Sequence, residues 1–140
     1  PRGSHVLRPG VAGLVLVGDE TALPAIQNFL HGAAPGLPVL AIVEVQDEQD
    51  VQPLESAADV TARWVFRRDV APGHGTALVD ELAAATLPTG RVLHWAAAET
   101  AITQSIRMHL VQQRQIDPAL VHTRGYWKLG ASDHQEPHDD

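Results

Sequence analysis

Along this chain, short continuous apolar runs alternate with segments whose apolar residues recur every three or four positions. Gly13-Leu14-Val15-Leu16-Val17 is continuous and stops at Gly18, the pattern of a strand covered on both faces. From Ala22 onward, Leu23, Ile26, Phe29 and Leu30 take helical spacing, and Pro24 fits the first turn of that helix. Gly32, Pro35 and Gly36 then lead into residues 38–45, a β-branched run that predicts a second buried strand. After an acidic, Gln-rich loop over residues 46–58, the alternation of Ala62, Trp64 and Phe66 predicts a third, less central strand over 61–66, ended by Arg67 and Arg68. Leu78, Leu82 and Ala85, with Val79 and Ala83, predict an amphipathic helix that ends before Pro88 and Gly90. A fourth strand is expected over 91–96, a helix over 99–116 with Ile102, Ile106 and Leu110 on one stripe, and a fifth strand over 120–123. Strand and helix alternate throughout, so the expected fold is α/β: a mainly parallel sheet with helices on both faces.

Composition narrows this picture. At 140 residues the chain suits one domain, and 44% hydrophobic with 19% charged residues suits a globule with a single core. Ten basic against 17 acidic side chains give a net charge of −7, which on average repels nucleic acid and anionic membranes. There is no cysteine, which excludes disulfides, thiolate nucleophiles and Cys-based metal sites. No apolar run reaches the roughly 20 residues of a membrane helix and no secretory signal is evident, so a cytoplasmic protein is expected. Residues 1–5 look like the remnant of an expression tag, 6–130 are the expected domain, and 131–140 read as a polar tail.

Open parallel sheets bind ligands beyond the carboxyl ends of their strands, which directs attention to five segments. They are residues 18–22, 44–48, 67–68, 97–99 and 125–128. The first opens a helix, whose free N–H groups suit a pyrophosphate, and Thr21 adds a hydroxyl. Asp19 and Glu20 would oppose a phosphate there, so a plain helix start explains the segment equally well. Among the eight histidines, His134 and His138 have ligand-like spacing but lie in the tail, His94 and His109 read as packing residues, and His74 as exposed. No metal site is expected, and no nucleophile elbow supports hydrolase chemistry.

Gly18-Asp19-Glu20-Thr21-Ala22-Leu23-Pro24-Ala25-Ile26 closely resembles the signature of siderophore-interacting proteins, flavin-dependent ferric-siderophore reductases. Ile42-Val43-Glu44-Val45, the segment from Trp95 to Glu99, and Gly125-Tyr126-Trp127-Lys128 add to the resemblance. It covers residues 11–130 and only the family's C-terminal, NAD(P)H-binding half; the Arg-x-Tyr-Ser/Thr motif of the flavin-binding barrel is not in this sequence. Together with the right-handed crossover rule, the resemblance implies a ferredoxin reductase-like domain, three layers α/β/α, with five parallel strands in the order 3-2-1-4-5. It further implies that this domain positions the nicotinamide for hydride transfer to a flavin on a separate barrel, which then reduces siderophore-bound iron. FAD would reach the reaction only through that barrel, the ferric siderophore only indirectly, and no side chain here need act as an acid or base.

Carried over by position, Gly18, Thr21 and Ala22 would hold the pyrophosphate, and Ala97, Ala98 and Glu99 would lie beneath the nicotinamide. Ala98 stands where the family has glycine. Tyr126 and Trp127 would lie near the flavin-facing mouth, with core packing the other reading of Trp127, and Lys128 replaces an arginine. Arg67 and Arg68 would grip a 2′-phosphate, favouring NADPH over NADH, unless they are simply solvated charges; Glu44 could instead take a ribose hydroxyl. From another functional class, a stand-alone interaction module that keeps the fold without turnover is the alternative.

Overall fold

The computed structural model describes residues 10–130. The first strand, β1 (Gly13–Asp19), is buried along its whole length and passes through a 3-10 turn (Glu20–Ala22) into α1 (Leu23–Gly32). Then come β2 (Pro38–Val45), β3 (Asp59–Phe66), α2 (Ala77–Ala84), β4 (Val92–Glu99), α3 (Thr100–Met108) and β5 (Val121–Trp127). All five strands are parallel, in the order β3-β2-β1-β4-β5, as the crossover rule and the resemblance imply.

The period of two in β1 sorts the core into two layers. Leu14 and Leu16 meet Leu23, Ile26 and Leu30 of α1. Val15 and Val17 meet Leu78 and Leu82 of α2 and Ile106 of α3 on the opposite face. Each such buried side chain contributes roughly 1.5–3 kcal/mol, so the helices are held by the sheet far more than by their own propensity. Each of the three short helices therefore depends on its one apolar stripe.

The structure extends or trims several expected elements. The β2–β3 connection, expected as a loop, holds a 3-10 turn (Glu48–Asp50), and its Leu54 and Ala58 pack against the α1-side core. The fourth strand runs on to Glu99, because Ala97 and Ala98 are fully buried between the two core layers despite alanine's weak strand preference. The fifth begins after a 3-10 turn (Pro118–Leu120) and continues to Trp127. The expected helix over 99–116 is α3 followed by a π turn (His109–Gln113), ended by Gln115 at φ 59°. Residues 97–99 and 125–127 thus sit on strand ends, not in loops. Among the described residues no helix is long and apolar enough to cross a membrane, and no group of three His, Asp or Glu side chains is placed to hold a metal. The segments read as a tag remnant and a polar tail, with His134 and His138, lie outside the described residues.

Candidate functional site

The strand order reverses direction between β1 and β4, so the crevice of such a sheet opens beyond Gly18 and Ala97, which are register partners. Gly18 is required there by packing. A Cβ at this position would fall 2.6 Å from the Ala22 Cβ and 2.8 Å from the Ala97 carbonyl oxygen. The glycine therefore lets the turn into α1 sit directly against β4. Ala22 is buried beneath that turn, while Thr21 is exposed above it.

Asp19 organises the turn. Its Oδ1 accepts from the Thr21 amide at 3.0 Å and from the Thr21 hydroxyl, and its Oδ2 accepts from the Trp127 indole N–H at 3.0 Å. Thr21 is thus held by the chain's own carboxylate, and the central strand is tied to the edge strand β5 across β4. Over Trp127 lies the loop that follows β3: Gly73, at φ 84°, comes so close that a Cβ would fall 2.7 Å from the Trp127 ring.

Arg67, at the end of β3, reaches across β2 to Glu20. Its two terminal nitrogens donate to the two Glu20 oxygens at 2.6 and 2.9 Å, and the arginine side chain is only 4% exposed. Desolvation raises the Glu20 carboxyl, but the hydrogen bonds and charge of Arg67 outweigh it and its pKa lies below the ordinary value. Glu44, beside Asp19 in the register of β2, is buried; desolvation raises its pKa, Arg67 opposes this, and the charges of Asp19 and Glu20 add to it. Three carboxylates therefore share one guanidinium at this edge. Arg68 takes a left-handed backbone at φ 55° and turns outward, donating to both Glu48 oxygens at 3.0 and 2.6 Å while its guanidinium lies over the Phe66 ring.

On the other side of the crevice, Ala97 belongs to the α1-side core and Ala98 to the α2–α3 core, both completely buried. The Ala98 methyl is thus occupied in packing. Glu99 caps α3 through Ile102 N–H at 3.1 Å and accepts from Leu129 N–H at 3.1 Å, fixing the chain after β5. Gly125 lets β5 approach Thr100, whose hydroxyl donates to the Trp127 carbonyl at 3.0 Å. Tyr126 is exposed and meets the Trp95 ring edge-on, and Lys128 is exposed with no ion pair among the described residues.

The five strand-end segments therefore do gather at one edge of the sheet. The Glu20–Arg67 pair and the Asp19–Trp127 bond escaped sequence reasoning, since their partners lie 47 and 108 residues apart. The available signal was the strand order, which puts the end of β3 one strand away from that of β1. Beside this edge an open cleft of about 470 Å³ runs between α1 and the loop after β2, lined by Glu20, Gln27, Gln46, Gln49, Asp50 and Gln52 among others.

Comparison with known proteins completes the description. Residues 11–130 match the family model described as siderophore-interacting protein. A siderophore utilization protein from T. fusca superposes with a TM-score of 0.80 at 31% identity, covering 91% of this chain and 49% of that structure. The siderophore-interacting protein SipS from Aeromonas hydrophila gives 0.74 at 27% identity, covering 86% of this chain and 48% of its own. A mycobactin import ATP-binding/permease protein, IrtA of Mycobacterium tuberculosis, is 25% identical over 124 residues, 85% of this chain and 13% of that protein. The chain thus spans about half the length of the solved structures it matches.

Proposed function

The chain belongs to the siderophore-interacting protein family, and from that premise we propose that it is the nicotinamide-dinucleotide-binding domain of a ferric-siderophore reductase. Family and fold support a role in siderophore utilisation. The observation that carries the finer reading is the crevice at the β1–β4 reversal, where a glycine-anchored turn opens a helix. The groups present fit a dinucleotide in kind. The turn after β1 offers backbone N–H groups, and the amide-lined cleft beside it has a volume ordinary for small-ligand sites.

When bound, the dinucleotide supplies a hydride for a flavin carried by a partner barrel domain, which delivers single electrons to siderophore-bound ferric iron. The contribution of this chain is to bind and orient. Residues 18–22 hold the pyrophosphate through the backbone N–H groups that Asp19 leaves free, since it already engages both the amide and the hydroxyl of Thr21. Ala97 and Glu99 form the rigid floor beneath the nicotinamide half, and Trp127 with Tyr126 and Lys128 walls the mouth that faces the barrel. Rigid positioning of this kind is what hydride transfer needs from a binding domain.

The test is an amide chemical-shift titration of the isolated chain with NADH and with NADPH. Shifts concentrated at residues 18–23, 97–100 and 125–128 are expected, with dissociation constants no tighter than the high micromolar range, roughly 5 to 6 kcal/mol, because these residues by themselves leave the nicotinamide half unenclosed. Absence of shifts with either nucleotide would replace this reading with the non-catalytic interaction module.

A further inference from the structure

Given the dinucleotide reading above, the cleft between α1 and the loop after β2, on the side of the crevice where the adenosine half would lie, raises the question of which ribose it accepts. The lining side chains that can hydrogen-bond are the amides of Gln27, Gln46, Gln49 and Gln52 and the carboxylates of Glu20 and Asp50; neither arginine of the β3 terminus lines it. Arg67 has both terminal nitrogens on Glu20, and its side chain is almost wholly buried. Arg68 turns outward to Glu48. Amides and carboxylates satisfy a ribose diol well, whereas a phosphate dianion placed among them meets like charge and no unengaged guanidinium.

We propose that Glu20 is a specificity-determining residue: by holding both terminal nitrogens of Arg67 it leaves the cleft without a cation for a 2′-phosphate, so the chain takes NADH in preference to NADPH. The inference reverses the preference that two adjacent arginines suggest in the bare sequence. Their presence is less important than what they are paired with. It also gives the acidic Glu20, which opposes phosphate in the sequence, a function in discrimination.

The experiment is calorimetric or NMR titration of the unmodified chain with NADH, NADPH, ADP and adenosine 2′,5′-bisphosphate, repeated with Glu20→Gln after its folding is checked by circular dichroism. The two smaller probes confine the comparison to the adenosine end. NADH and ADP are expected to bind at least about fivefold tighter than their 2′-phosphorylated counterparts, with the gap narrowing at high salt as repulsion is screened. Glu20→Gln should close the gap or invert it, read as the ratio of NADPH to NADH affinity and of the bisphosphate to ADP. Equal or tighter binding of NADPH by the unmodified chain overturns the inference while leaving the dinucleotide reading intact, and this arm does not depend on the variant folding. A folded Glu20→Gln with an unchanged ratio removes the role of Glu20, and failure of all four probes to bind overturns both readings together.

Discussion

His94 sits in the middle of β4, between Val15 of β1 and Val121 of β5, with 1% of its surface exposed and neither ring nitrogen hydrogen-bonded. Burial, with a smaller push from the charge of Arg114, lowers its pKa from 6.5 to about 4. Between those values the unfolded chain takes up a proton that the folded chain refuses. Stability is therefore full above pH 6.5 and declines as pH falls toward 4, by about 3 kcal/mol in total from this one group. Replacing it with a similar-sized apolar residue, His94→Leu, should flatten that decline and raise stability at pH 7 by about 1 kcal/mol, since no ring nitrogen is then left unsatisfied. Urea unfolding of both proteins at pH 7, 5.5 and 4 checks this; parallel declines would refute it. Gly18→Ala belongs to the same scale. Its methyl would meet the Ala97 carbonyl and the Ala22 Cβ, neither of which can swing aside, so a loss of about 1–3 kcal/mol is expected in thermal melts. That this glycine marks a turn was legible in the sequence. What it avoids was not, because Ala97 lies far along the chain.

Among the elements, α2 and α3 are joined by one side chain. Arg114, just past the π turn, donates to the carbonyls of Leu82, Ala83 and Ala85 at 3.1, 3.2 and 2.8 Å, satisfying acceptors that the end of α2 leaves open, and its Nε donates to His109 at 3.1 Å. Arg114→Ala should cost about 1.5–3 kcal/mol and should speed amide exchange in α2 more than in α1, measured by hydrogen–deuterium exchange. The apolar periods alone locate all five strands and α1 to α3, and for β2 they give its limits, because Pro38 and the polar loop after Val45 punctuate it sharply. They misplace the ends of β4 and β5. Ala-Ala-Ala-Glu-Thr carries no alternation, and the burial that makes it a strand comes from neighbours on both faces. The connection from β2 to β3 does without an α-helix because Leu54 and Ala58 cover the sheet from a loop.

Taken as a whole, the molecule presents one chemically loaded edge: the carboxyl ends of all five strands, with Asp19, Glu20, Glu44, Arg67 and Trp127 gathered there. The sequence indicated the edge and the segments on it, through strand order and the resemblance of residues 18–26. It did not reveal the pairing, since whether Arg67 is available or engaged depends on which carboxylate the fold brings to it. The isolated chain is expected to hold no flavin tightly and to show no ferric-siderophore reduction with either nicotinamide dinucleotide; a yellow protein carrying stoichiometric FAD would refute this. The hydrogen bond from the Trp127 indole to Asp19 also equips the edge with an optical sensor. Indole emission responds to the charge and solvation around its N–H, so a ligand arriving on the turn that Asp19 holds should change the intrinsic fluorescence. Trp95 lies within the α1-side core and Trp64 packs against it from β3, so the change should vanish in Trp127→Phe. The chain can thus report occupancy of its own crevice without a label.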